Sequence, residues 1–227
     1  MENRYDDADR MREKVISGRH RQLVGGKWGE IGRLQFNYLK SKGLKPEHYL
    51  LDVGCGSLRG GVHFVSYLDA FQYFGFDKNE MLIAAGVEVE LKNLKLDEKV
   101  KPGNFASSED FQFPADWPQM DFAIGFSIIT HLGEGSAELC LQKTATQLKP
   151  GGIFYVTVFE VPDEEVGIGP YLHKSGIQSW AHKDPFHYTF GQLEALGEKA
   201  GLTLTDIEEF NHPRGQKMAV FEKAAQS

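Results

Sequence analysis

Cysteine is nearly absent from this chain of 227 residues: Cys55 and Cys140 are the only two, and they fall on different predicted elements. That excludes a disulfide framework and a zinc-type cysteine spacing. Long apolar runs are missing as well. No segment approaches the ~18 residues that a membrane span requires, and Met1 to Arg12 is polar and charged, so no membrane partner is expected and the chain reads as cytoplasmic. Basic charge is in deficit, with 25 Lys and Arg against 32 Asp and Glu, a formal net charge of -7. A broad phosphate-binding face needs clustered Lys and Arg, so nucleic acid is not an expected partner. The one basic concentration, Arg10 to Arg21, is a short mixed-charge stretch and reads as a solvated helix face. Paired metal-ligand spacings such as H-x-x-x-H do not occur, and no metal is expected.

What is present is an alternation of apolar strand patterns with helical ones from residue 49 onward, the signature of an α/β chain with a parallel sheet covered on both faces. At 41% hydrophobic residues, the chain can bury a substantial core as one domain with an appended segment. The patterns predict strands at about 49–53, 72–76, 121–126 and 152–159, a short third strand within 99–106 broken by Pro102 and Gly103, and a closing hairpin at about 203–210 and 217–223. Leu82, Ala85 and Val89 share one helix face, as do Ala137, Leu141, Ala145 and Leu148. Thr189 and Gln192 form a capping box before Leu193, Leu196 and Ala200, and Gly201 stands where a left-handed cap would end that helix. Two stretches lie outside this core: residues 1–45, with Val24-Gly25-Gly26-Lys27-Trp28-Gly29 and an amphipathic run through Ile31, Leu34 and Tyr38, and residues 160–188, proline-rich and carrying His173, His182 and His187.

The chemistry concentrates in Leu50-Leu51-Asp52-Val53-Gly54-Cys55-Gly56-Ser57-Leu58-Arg59-Gly60-Gly61 and in Tyr73-Phe74-Gly75-Phe76-Asp77. An apolar strand runs into a turn with glycine at 54 and 56, where the backbone must bend sharply and let a ligand approach. A second strand ends in Asp77, placed to accept hydrogen bonds from the two hydroxyls of a ribose. A dinucleotide fingerprint would carry a third glycine where Arg59 stands, which disfavours a pyrophosphate. The D-x-G-x-G pattern resembles motif I of class I S-adenosylmethionine-dependent methyltransferases. Asp121-Phe122-Ala123-Ile124-Gly125-Phe126-Ser127-Ile128-Ile129-Thr130-His131-Leu132 resembles the family's fourth strand and its continuation, and Leu148-Lys149-Pro150-Gly151-Gly152 the turn before its fifth. Together these matches span about residues 46–160.

The resemblance implies a Rossmann-like, seven-stranded, mostly parallel sheet with an antiparallel final strand, helices on both faces and S-adenosyl-L-methionine as cofactor. It implies a methyltransferase domain over 46–227 with a lid insertion at about 160–188, preceded by a helical N-terminal lid over 1–45. Carried onto this chain, it places Gly54 and Gly56 beneath the methionine part and ribose, Asp77 on the ribose hydroxyls, Lys78 near the adenine, Asp110 and the Phe111 backbone at the adenine amino group, and Phe126 and Ser127 at the methionine end. Asp52 either contacts the cofactor or organises the loop. Arg59 either pairs with the cofactor carboxylate or faces solvent at a helix start.

Methyl transfer to an unactivated hydroxyl needs a base, and a histidine suits that task at neutral pH. His131, just after the fourth strand, is the first candidate. His187 with Tyr188, ahead of the capped helix, is the rival, and a local turn held by Asp184 and Pro185 is the plainer account of that pair. Trp28, like His131, His187 and Tyr188, is a candidate substrate contact. The expected activity is transfer of a methyl group to a small molecule, at a hydroxyl of a sugar or secondary metabolite. An N-methyltransferase of a small amine, a polymer methyltransferase, a nicotinamide oxidoreductase and a noncatalytic adenosylmethionine-binding protein remain alternatives.

Overall fold

In the computed structural model, residues 8–167 and 169–225 are described; the first seven residues of the predicted N-terminal lid, Ile168 of the predicted insertion and the last two residues lie outside them. The chain divides into two compact units, Met1–Trp117 and Pro118–Ser227. It has seven strands of a mostly parallel sheet, three supplied by the first unit and four by the second.

In the first unit, helices α1 (Ala8–Ile16), α2 (His20–Leu23) and α3 (Trp28–Ser41) precede strand β1 (Leu50–Val53). Helix α4 (Gly61–Tyr67), strand β2 (Tyr73–Phe76), helix α5 (Glu80–Ala85) and strand β3 (Phe105–Ala106) follow, and the strands lie in the order β3-β2-β1, all parallel. Every residue of β1 and β2 is buried, as expected of strands covered on both faces. The third strand is only two residues long because a 3₁₀ turn, Pro102–Asn104, occupies its predicted start. The Asn104 amide donates from that turn to the carbonyls of Phe71 and Tyr73, clipping it to the start of β2. The helix predicted through Leu82, Ala85 and Val89 begins at an Asn79 cap and widens into a π turn over Gly86–Leu91. A Cβ on Gly86 would stand 2.5 Å from Leu58 Cγ, so glycine here lets the helix lie directly against the loop after β1.

In the second unit the order is β4-β5-β9-β8, with β4 at Met120–Gly125, β5 at Leu148–Val158, β8 at Leu202–Glu208 and β9 at Lys217–Lys223. β4 and β5 are parallel, whereas β9 runs antiparallel to both β5 and β8. Helix α6 spans Glu134–Gln147, and α7 spans Phe190–Lys199 with the Thr189–Gln192 box formed and Gly201 at φ +72°. One expectation is corrected. The Leu148-to-Gly152 turn belongs to the strand: Met120 pairs with Leu148 and Phe122 with Ile153, so the extra residues form a bulge, with Gly151 at φ +76° and no room for a Cβ on Gly152. The stretch before α7 also contains a small hairpin that no periodicity announced, β6 (Tyr171–Leu172) against β7 (Gln178–Ser179).

Candidate active site

The turn after β1 is built as the glycines require. Gly54 (φ +76°) and Gly56 (φ +53°) are left-handed, and the N–H groups of Gly54 and Cys55 both donate to the Phe76 carbonyl, at 2.7 and 3.0 Å. Asp77 closes the arrangement. Its Oδ2 accepts from the Gly56 N–H at 2.8 Å and its Oδ1 from the Asn79 N–H at 2.9 Å. Burial raises the Asp77 carboxyl above its ordinary range, while those two backbone donors and the Lys78 ammonium pull the other way. Each carboxylate oxygen keeps a second lone pair, which suits the vicinal hydroxyls of a ribose. The turn and the fixed carboxylate therefore fit an adenosyl cofactor. Lys78 itself is exposed.

Asp52 is placed differently from a surface ligand. It is 2% exposed on β1 and accepts a 2.7 Å bond from the Tyr73 hydroxyl on β2. Burial, only partly offset by that bond, pushes its pKa up to about 7. The bond ties β1 to β2. Phe111, at φ +57°, is buried and stacked on Phe76 with ring centroids 5.9 Å apart, which makes an apolar wall next to Asp77. Asp110 is exposed, with its carboxylate bonded to the Gln112 amide at 2.6 Å.

The N-terminal segment is tied to the same turn. Arg59 is buried and its Nη1 donates to the carbonyls of Val24 (2.6 Å) and Gly26 (3.2 Å), which overturns the solvent-facing alternative. A Cβ on Gly56 would lie 2.7 Å from Val24 Cγ1, and one on Gly60 would lie 2.3 Å from Gln35 Oε1. A second tie was not foreseen: buried Glu90, on the π turn, accepts from His20 Nε2, Arg21 Nε and Arg21 Nη2, each at 2.7 Å. Burial alone would raise the Glu90 carboxyl, but the Arg21 and His20 contacts together outweigh it and hold it below its ordinary value. Trp28, at the start of α3, sits beside these groups, with the Arg21 guanidinium 4.9 Å over its ring and His20 at its edge.

In the second unit, Phe126 is buried against Phe210 and His212. Ser127 has φ +60°, unusual for a residue with a side chain. Its N–H donates to Thr157 Oγ1 at 2.7 Å, and its hydroxyl donates to Gln216 Oε1 at 3.0 Å, which also accepts from Thr157. Such strain persists only where surrounding contacts over-determine it, and strained backbone of this kind concentrates at functional sites.

His131 ends a 3₁₀ turn, Ile129–His131, and is partly exposed. Its Nδ1 lies 2.6 Å from Asp184 Oδ1. A carboxylate only accepts, so Nδ1 carries the proton, and in the neutral tautomer Nε2 is the acceptor nitrogen. Asp184, read from the sequence only as a turn former, thus orients the first candidate base. The rival pair is internal. His187 is 2% exposed, with Nδ1 bonded to Ser179 Oγ at 2.9 Å, and the same hydroxyl meets His173 Nε2 at 2.7 Å. Tyr188 is buried as well, with its hydroxyl donating to the Leu132 carbonyl and its pKa raised chiefly by burial. Among the described residues, no group of three or more His, Cys, Asp or Glu is gathered for a metal, and no helix is long and apolar enough to cross a membrane.

This combination of a glycine turn, a carboxylate at the end of the second strand and a sheet with one reversed strand defines a Rossmann-like nucleoside-binding protein of the methyltransferase type. The model of the methyltransferase domain family matches residues 21–207, and the chain belongs to that family, with S-adenosyl-L-methionine as the family's cofactor. Solved structures share the fold at low identity. Magnesium protoporphyrin IX methyltransferase from Synechocystis PCC 6803, with bound S-adenosylhomocysteine, is 12% identical over 96% of this chain and 100% of its own, with a TM-score of 0.64. Human N-acetylserotonin methyltransferase, in complex with S-adenosylmethionine, is 16% identical over 96% of this chain and 60% of its own, with a TM-score of 0.65. The [4+2]-cyclase SpnF is 15% identical over 86% of this chain and 82% of its own, with a TM-score of 0.62. The fold alone therefore does not define the reaction.

Proposed function

We propose that the chain methylates a hydroxyl group of a small-molecule acceptor, a sugar or secondary metabolite, using S-adenosyl-L-methionine. The 2.6 Å pair of His131 and Asp184 carries this reading, because an alcohol needs a base at neutral pH and an oriented imidazole supplies one. The cofactor supplies a methyl group already activated by the positive sulfonium. Asp77 and the glycine turn hold the ribose side, and the Phe111 wall lies along Asp77's strand end. His131 Nε2 takes the acceptor's hydroxyl proton as the oxygen's electron pair forms the new O–CH₃ bond. Methyl donation would leave the cofactor as a neutral thioether, and the positive charge would be carried by His131 as imidazolium. The Asp184 carboxylate stabilises that imidazolium. Net charge of -7 supports a small acceptor over a nucleic acid, and two fold neighbours are named for the small molecules they methylate.

The test is a panel of sugar, phenol and amine acceptors incubated with methyl-¹³C-labelled cofactor and read by carbon NMR. A labelled methyl on oxygen supports the reading. A labelled methyl on nitrogen replaces it with amine methylation, and cofactor binding without transfer to any acceptor replaces it with a noncatalytic or non-transferring role.

A further inference from the structure

His187, adjacent in sequence to the loop that carries Asp184, is built into a chain of three buried side chains: His173, Ser179 and His187. Serine has one proton to give, so it donates to one imidazole and accepts from the other. Ser179 belongs to β7, paired to Tyr171 of β6, and the next residue, Trp180, is bonded across the loop: its N–H donates to Pro185 O at 2.9 Å and its carbonyl accepts from the His187 N–H at 3.0 Å. The Ser179–His187 side-chain bond therefore closes the same loop that the Trp180 backbone closes. Asp184 lies inside it.

The far side of the loop is sewn to the residues around His131. The Phe186 N–H donates to Thr130 O at 2.7 Å, the Phe186 ring packs at Gly133, and the Tyr188 hydroxyl donates to Leu132 O. Asp184 and His131 are thus held between two braces. Meanwhile His187 Nε2 is buried and has no hydrogen-bond partner among the described residues. A substrate hydroxyl cannot reach an atom enclosed in that way. The side-chain hydrogen bond that His187 does make runs from Nδ1 to Ser179 Oγ.

We infer that His187 is a positioning residue and not the base: through Nδ1 and Ser179 it fixes the 180–187 loop, and so fixes the Asp184 carboxylate against His131. This rests on His131 as the base of the proposed reaction. Burial, and after it neighbouring charge, lowers both rings, His173 to about 4, with a backbone bond to Ser179 partly opposing the shift at His187.

Asparagine places a polar atom near the Nδ1 position and glutamine near the Nε2 position, so the two substitutions separate the two nitrogens. His187→Asn is expected to keep kcat within about 3-fold of the natural protein, while His187→Gln loses about 10-fold or more in kcat with KM nearly unchanged. Ser179→Ala is expected to behave as His187→Gln, and to lose the far-downfield proton resonance of the His131 Nδ1–H bond to Asp184. Equal loss in His187→Asn and His187→Gln, or full activity and an unchanged resonance in Ser179→Ala, overturns the inference. If Ser179→Ala does not fold, the Asn and Gln pair decides alone, because a merely structural deficit falls on both alike. His131→Ala is measured beside them: activity surviving there defeats the base reading itself, whereas activity lost there with Asn and Gln equal defeats only the positioning role.

Discussion

His131 Nδ1 and Asp184 Oδ1 stand 2.6 Å apart although 53 residues of chain separate them. The pair sets the tautomer of the imidazole, and with it the direction from which a proton is taken.

Asp184→Asn keeps the side-chain shape but adds a donor beside Nδ1, so the ring is driven to the tautomer whose Nε2 carries the proton. The expected result is a kcat lower by roughly 10- to 100-fold with KM nearly constant, read in steady-state kinetics on the acceptor found by the methyl-labelling screen.

Asp77 holds Gly56 and Asn79 by their N–H groups and is the proposed ribose acceptor. Asp77→Ala is expected to weaken S-adenosylhomocysteine by roughly 10- to 100-fold in calorimetric titration, the scale of losing hydrogen bonds to a charged acceptor. Unchanged affinity would remove Asp77 from the cofactor site.

Glu90 is the buried acceptor for both His20 and Arg21, and Arg59 grips the loop between them and α3. Glu90→Ala is expected to cost roughly 1 to 3 kcal/mol in urea unfolding, and to speed protease cleavage near Gly25 and Gly26. S-adenosylhomocysteine is expected to slow that cleavage in the natural protein if the segment covers the cofactor turn.

The pH dependence of stability has a worked sign. His173 is pushed down to about 4, first by burial and then by His187 and Lys217, against an ordinary value near 6.5. Between those two values the unfolded chain binds a proton that the folded one refuses, so acid weakens the fold through this group. Asp52, raised to about 7, acts oppositely: its neutral form suits the fold, and falling pH relieves the penalty of its buried charge. The two are separated by comparing His173→Gln with the natural protein. From pH 7 to pH 4 the natural protein is expected to lose about 1 to 2 kcal/mol more than the variant, the shift being discounted for solvent screening, visible as a steeper fall in thermal midpoint. Parallel curves would mean that His173 is not held neutral.

Most of the sheet was legible because its determinants are local. Leu50 to Val53 is apolar but for Asp52, Tyr73 to Phe76 carries no charge, Gly54 and Gly56 announce the turn, and Thr189 with Gln192 marks the start of α7. Reading failed where a residue's role depends on a distant partner. Asp184 and Pro185 look like a turn and are one, but nothing near them in sequence indicates His131. The Glu90 network joins residues 69 and 70 positions apart, and the Gln216 brace on Ser127 joins residues 89 apart. Arg59 gave a partial signal: a charged residue among glycines and apolar neighbours needs acceptors, and the carbonyls of Val24 and Gly26 were not foreseeable as those acceptors. The π turn at Gly86–Leu91 has no counterpart in periodicity, since Leu82, Ala85 and Val89 read as an unbroken helix.

The most direct measurement is the single-turnover rate of methyl transfer in His131→Ala, with S-adenosylhomocysteine affinity determined on the same preparation. The account predicts a rate reduced by roughly 100-fold or more at nearly unchanged cofactor affinity. A rate within a few-fold of the natural protein would contradict it, and the base would have to be sought elsewhere.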